Sequence, residues 1–130
     1  MPGYLFDSNA LIYAAAPVPA YDALRNLLTL PFPSGAVSAI SLVEVLGFSR
    51  LEARDQEFFE APFQSFEIIP VFDSIIGIAI DLGRQHGLKA ADAIIAASAL
   101  GVKRTLVSAD THFHRIPGLT VLHPLDIVFA

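Results

Sequence analysis

Residues 90–110 read Ala90-Ala91-Asp92-Ala93-Ile94-Ile95-Ala96-Ala97-Ser98-Ala99-Leu100, then Gly101-Val102-Lys103-Arg104, then Thr105-Leu106-Val107-Ser108-Ala109-Asp110. The first part predicts a helix, because Asp92, Ile95, Ala96 and Ala99 follow the i, i+3, i+4, i+7 spacing and keep one stripe small or apolar for packing on a sheet. Gly101 is its expected C-terminal stop. Thr105–Val107 is a short run of strand-forming residues, and Asp110 follows just beyond its end. A helix that feeds a buried strand is part of a right-handed crossover. Such units build parallel sheets covered by helices on both faces.

The same alternation extends outward along the chain. Apolar runs bounded by Gly, Pro or Ser predict further strands at Gly3–Phe6, Ala36–Ser38, Phe66–Ile69 and Thr120–Leu122. Segments of helical period predict helices at Asn9–Ala15, Tyr21–Leu30, Ile40–Ser49, Glu52–Gln64, Ser74–His86 and Ala90–Leu100, with a brief turn at Thr111–His114. Pro17, Pro19, Pro31, Pro33 and Pro117 fall between elements, and Gly87 directly after His86 marks another helix end. The expected product is an α/β fold, a three-layer α/β/α sandwich with a central parallel sheet. It forms one domain over residues 1–130, since no linker, repeat or low-complexity tract divides it.

An apolar share of 54%, with ten Phe, stands beside only 16% charged residues. A domain this small hides only part of such surface alone, so a homodimer is expected, with Tyr21–Leu30 and Glu52–Gln64 as its candidate faces. The run from Ile75 to Leu82 leaves almost no polar stripe, which places that helix in the core or in a dimer. No membrane span is expected: Ile75–Ile80 is closed by Asp81 and Ile94–Leu100 by Gly101. The start, Met1 to Asp7, lacks a basic region and reads as a first strand, not a signal peptide. Zero cysteines exclude disulfides and thiolate metal sites and fit a cytoplasmic location. A net charge of −5 argues against a simple RNA-coating protein, although Arg25, Arg50 and Arg54 from paired chains would offset it locally.

Asp7 and Asp110 each follow a predicted strand, at the carboxyl edge where open parallel sheets collect ligands. Glu44 lies in the helix after Ala36–Ser38, and Asp92 lies near the start of its own helix. Taken singly, each acid has a structural use. Asp7 and Asp110 fit helix N-caps, Ser41-Leu42-Val43-Glu44 fits a capping box, and Asp92 fits a first-turn charge. Taken together, they bring carboxylates that are distant in sequence toward one cleft. Crowded carboxylates repel and resist ionisation unless a cation neutralises them. Hard oxygen ligands of this kind suit Mg²⁺, with Mn²⁺ tolerated, and such an ion can orient water for in-line attack on phosphorus.

Asp7-Ser8-Asn9, Ser41-Leu42-Val43-Glu44, Asp92 with the Ala93–Ala99 run, and Ser108-Ala109-Asp110-Thr111-His112, in this order, resemble the PIN-domain ribonucleases. The resemblance is strongest to the VapC-type toxins of toxin–antitoxin pairs, and it spans Tyr4 to Leu122, with little signal in Ala14–Val37 and Ser49–Phe72. It implies that Asp7, Glu44, Asp92 and Asp110 are the catalytic acids, that Asp7, Asp92 and Asp110 hold metal, and that Ser8 or Asn9 and Ser108 support the first and last acids. It further implies an RNA substrate, an antitoxin protein that wraps apolar surface, and dimer formation. Many relatives carry another acid two residues after the last aspartate; here that position is His112, read either as a contact to phosphate or the attacking water, or as a turn residue.

Arg84, His86, Lys89, His114 and Arg115 flank the same edge and are candidate RNA-phosphate contacts, although Arg84 fits equally well as a partner of Asp81. Two other functions stay open. One is a catalytically impaired PIN-like domain that binds RNA or protein, which the His112 departure allows. The other is a phosphoryl hydrolase with an aspartate nucleophile, which is disfavoured because Asp7-Ser8-Asn9 lacks a second aspartate two positions on and no Gly-rich phosphate loop is present.

Overall fold

The computed structural model describes residues 3–28, 35–47, 57 and 66–127. Within them the chain runs β1 (Tyr4–Phe6), α1 (Ser8–Ala15), α2 (Asp22–Leu28), β2 (Gly35–Ser38), α3 (Ala39–Leu46), β3 (Glu67–Ile69), α4 (Asp73–His86), α5 (Ala90–Val102), β4 (Thr105–Val107) and β5 (Val121–Leu122). Single 3₁₀ turns occupy Pro19–Tyr21, Thr111–Arg115 and Pro124–Asp126. The strands form one parallel sheet in the order β3-β2-β1-β4-β5, with Leu5 opposite both Ala36 and Leu106. Because β1 is central and the winding reverses there, the crevice beyond the carboxyl ends of β1 and β4 is the topological switch point where such sheets bind ligands.

The pleat sends successive β1 side chains to opposite layers. Leu5 packs with Ala36 and Leu106 against Ile75, Ala79 and Leu82 of α4 and Ile95 and Ala96 of α5. Phe6 lies on the other face with Leu11 and Ala14 of α1, Leu24 and Leu27 of α2, and Val45 of α3. These two clusters make the three expected layers. Gly35 is required by close approach: a Cβ there would stand 3.2 Å from the Phe66 ring and 3.3 Å from the Phe6 ring, two rings that stack at 5.6 Å.

Element ends agree with expectation to within one or two residues in most places, and the exceptions have physical causes. Gly87 stops α4 in the left-handed region at φ 66°. Gly101, by contrast, does not stop α5, which continues to Val102 and ends at Lys103 with φ 57°. Gly101 serves packing instead, because a Cβ there would meet Ile75 Cγ1 at 3.4 Å. The expected helix Tyr21–Leu30 divides at Pro19–Tyr21, a 3₁₀ turn, from α2, which starts at Asp22; residues 29 and 30 lie outside the described residues. Arg25 fixes this junction by donating to the carbonyls of Ala14, Ala16 and Val18 and pairing with Asp22. Helix α3 closes on Gly47 instead of running to Ser49, which also lies outside the described residues. So do Arg50, Arg54 and the expected helix Glu52–Gln64, apart from Glu57, which is helical and exposed. Among the described residues no helix is long and apolar enough to cross a membrane.

Candidate active site

Asp7 follows β1 directly and caps α1, with Oδ1 accepting the Ser8 N–H at 2.7 Å. Oδ2 accepts the Ser108 hydroxyl at 2.7 Å. The residue is only 4% exposed. Burial pushes its pKa up from 3.8 to about 6, and the charges of Asp92 and Glu44 add to the rise, while the bonds from Ser108 and Ser8 oppose it.

Ser108 is the hub of this arrangement. Besides donating to Asp7, its oxygen accepts the Asp110 N–H at 3.0 Å and Asn9 Nδ2 at 3.4 Å. Asn9 Oδ1 in turn accepts the Ala109 N–H at 3.2 Å. The polar residues beside the first acid thus hold the loop that carries the last one.

Glu44 projects from α3, exposed, and its Oε1 accepts the Ser8 hydroxyl at 2.7 Å. Ser8 therefore supports Glu44 through its side chain, and Asp7 only through its backbone. The capping box that Ser41–Glu44 would fit, the alternative use of Glu44, does not form: Ser38 caps α3 by accepting the Ile40 N–H, and the buried Ser41 hydroxyl has no hydrogen-bond partner. The helix begins one turn earlier than a box at Ser41 requires, which leaves Glu44 free to reach α1.

Asp92 sits in the first turn of α5. Burial raises its pKa, Asp110 and Glu44 raise it further, and His112 and Lys89 pull it down. Asp110 caps the turn at Thr111–Arg115, and its Oδ1 receives both the His112 N–H at 2.9 Å and His112 Nδ1 at 2.8 Å. Asp92 is thus within electrostatic reach of Asp7, Glu44 and Asp110, and Asp7 within reach of Asp92 and Glu44, at the switch point.

A groove of about 540 Å³ opens at Asp92 and Asp110, lined also by Gln85, His86, Lys89, His112 and Arg115; Asp7 and Glu44 do not line it. Lys89 and Arg115 lie where the sequence placed them. Arg84 does not: it borders a separate apolar groove between α4 and α5, because its position on the helix turns it away from the acids. Gln85 was not singled out from the sequence, although its place in the last turn of α4, just before the Gly87-Leu88-Lys89 connection to Asp92, was a usable signal.

Among the described residues no three His, Asp or Glu side chains form a finished ligand cage. The donor set still fits a hard divalent ion. All its ligands are oxygens, and the pKa values of Asp7 and Asp92 stay raised despite the cations among the described residues. Mg²⁺ keeps most of its waters and requires only one or two protein carboxylates directly, so a partly open set is appropriate to it.

Residues 4–119 match the PIN domain family. No curated protein sequence matches the chain. Among solved structures, a toxin–antitoxin complex from Klebsiella pneumoniae is 26% identical with TM-score 0.72, over 94% of this chain and 98% of that one. VapBC2 from Rickettsia felis, bound to a DNA fragment from its promoter, is 26% identical with TM-score 0.74, over 92% and 97%. DNA-bound VapBC from Salmonella typhimurium is 21% identical with TM-score 0.77, over 95% and 99%, and shares the fold.

Proposed function

Since the chain belongs to the PIN domain family, we propose that it is a metal-dependent endoribonuclease and the toxin of a toxin–antitoxin pair, acting in the cytoplasm as a pair of identical chains. The observation that carries this reading is the charge that Glu44 and Asp92 place on Asp7, and that Asp110 and Glu44 place on Asp92, at the switch point. Asp7, Asp92 and Asp110 are the proposed holders of Mg²⁺ or Mn²⁺. Bound there, the ion supplies charge neutralisation and a water acidic enough to attack phosphorus.

The chain's own residues do the rest. Ser108 and the Ser8 N–H hold both Asp7 oxygens in one orientation. Ser8 also holds Glu44 within electrostatic reach of Asp7, where its carboxylate can accept a proton from water. Lys89 and Arg115, which line the same groove as Asp92 and Asp110, take RNA phosphates and fix the strand without reading its bases. Ile12, Val43 and Leu46, exposed on α1 and α3 around Glu44, offer apolar surface that an antitoxin segment would cover.

One observation favours a second reading, a PIN-like domain that binds RNA or protein without cutting it: His112 ties up an oxygen of Asp110, where many relatives have a further acid. A cleavage assay on purified chain with labelled RNA separates the two. The expected outcome is cleavage with Mg²⁺ or Mn²⁺, silence with EDTA, and silence in Asp92→Asn. RNA that is bound but uncut under every metal condition would select the second reading, and full cleavage after exhaustive chelation would overturn the metal requirement.

A further inference from the structure

We infer that His112 adds a nitrogen ligand, its Nε2, to the oxygens of the acids, with Asp110 holding the ring in place, so that this site takes a first-row divalent transition ion in preference to Mg²⁺. The inference rests on the metal reading of the proposed function and goes beyond it to a further ligand and the kind of ion.

The turn that carries His112 is anchored from two directions. Phe113 is fully buried in the core, and Asp110 caps the turn by accepting the His112 N–H at 2.9 Å. Between these anchors the His112 side chain stands outside, 62% exposed. Its Nδ1 lies 2.8 Å from the same Asp110 oxygen, so the backbone and the ring of one residue converge on one acceptor. A carboxylate oxygen accepts, which puts the ring hydrogen on Nδ1 and leaves the lone pair of the neutral imidazole on Nε2. No hydrogen-bond partner takes up Nε2 among the described residues.

Stability does not account for this arrangement, because exposed ion pairs hold a fold only weakly and the turn already has its cap. A carboxylate on one ring nitrogen with the other nitrogen bare is how proteins present histidine to metals. The outer carboxylate fixes the tautomer and the ring orientation and makes the free nitrogen more basic. His112 also has an acid with which to share an ion: it lines the groove together with Asp92, and its charge is near enough to pull the Asp92 pKa down. The neighbouring histidines differ. His86 lines the groove without a carboxylate of the described residues on its ring, and His114, exposed in the same turn as His112, does not line the groove.

The choice of ion follows from the donors. Mg²⁺ takes oxygen ligands and gives up its waters reluctantly, whereas imidazole suits first-row transition ions. A neutral ring also adds no charge to attract Mg²⁺. One nitrogen among oxygens therefore shifts the preference without shutting Mg²⁺ out.

Binding of Mn²⁺ to the metal-free full chain, with no RNA present, tests the inference by electron paramagnetic resonance. Pulsed spectra of the bound ion should show coupling to an imidazole nitrogen. His112→Gln should remove the coupling and weaken Mn²⁺ by roughly tenfold or more, a loss typical even of residues that only support a ligand. His86→Gln should keep it. His112→Asp exchanges the nitrogen for oxygen, so competition titrations should show the preference for Mn²⁺ over Mg²⁺ falling by a similar factor. Neither histidine belongs to the buried core, so the variants should fold. Mn²⁺ bound without nitrogen coupling, coupling that survives His112→Gln or is lost in His86→Gln, or an unchanged preference in His112→Asp would overturn the inference and leave the metal-dependent nuclease reading intact. Failure to bind either ion would overturn both.

Discussion

The Ser108 hydroxyl donates to Asp7 Oδ2 at 2.7 Å across a sequence separation of 101 residues, joining the ends of neighbouring strands β4 and β1. The bond selects the ionised form of a carboxyl group whose burial selects the neutral form. Burial prevails, and the acid keeps its proton to about pH 6. The site is therefore built at a cost that a bound cation would offset.

The metal-free protein should lose stability as pH rises through this window. Asp7 has a raised pKa when folded, so between pH 3.8 and about 6 the folded state holds more protons than the unfolded state. The contribution of Asp7 to stability is then greatest below pH 3.8, falls up to about pH 6, and is level above it, by on the order of 3 kcal/mol at 1.36 kcal/mol per unit. Asp7→Asn, which still caps α1, should melt higher than wild type at pH 7 and lose most of this slope. Thermal melts in EDTA from pH 4 to pH 8 measure both, and a lower melting temperature for Asp7→Asn at pH 7 would show that Asp7 acts as a cap alone.

Divalent cation and proton should compete for the same groups. Because Asp7 and Asp92 both have raised pKa values, 5 mM Mg²⁺, on the order of a typical assay concentration, should raise the melting temperature clearly at pH 8 and little at pH 5. Equal shifts at the two pH values would place the ion elsewhere.

Ser8 and Ser108 should separate in their effects. Ser8→Ala releases the exposed Glu44 and should change stability by less than about 1 kcal/mol, while cleavage falls by roughly tenfold. Ser108→Ala removes three buried or half-buried bonds and should cost about 1–3 kcal/mol. It also removes the strongest influence holding the Asp7 pKa down, so its stability should fall over a higher pH range than in wild type. Paired denaturant titrations and rate measurements distinguish the two variants.

Two helix ends offer a control away from the acids. Lys103 adopts φ 57° without being glycine, so Lys103→Gly should stabilise by about 1 kcal/mol. Gly87→Ala should destabilise by a similar amount, and since nothing lies within 4 Å of the added Cβ, the cost is that of the backbone alone. Chemical denaturation midpoints with unchanged slopes check both.

The sheet was legible because its strands are buried on both faces, so Leu5-Phe6, Val37 and Leu106-Val107 appear as short apolar runs that no amphipathic helix would produce. The acids were legible because they follow those runs. What escaped depends on distances between elements. Gly101 looks like a helix stop until Ile75 is known to lie against it. Ser8 looks like a support for its neighbour Asp7 until α1 and α3 are known to cross near Glu44. Arg84 and His86 are two residues apart, yet the rotation of α4 sends one to an apolar groove and the other to the acids.

The central place of β1 also sets a timetable. As the chain is synthesised, Asp7 leaves the ribosome 101 residues ahead of Ser108, the side chain that orients it. Until β4 arrives, β1 has a neighbour on one edge only, and the crevice that would take a substrate has a single wall. A fragment that ends before β4 therefore carries three of the four acids and no place for them to act. For a cell whose own RNA is the proposed substrate, strand order delays the assembly of a harmful site until most of the chain has been made.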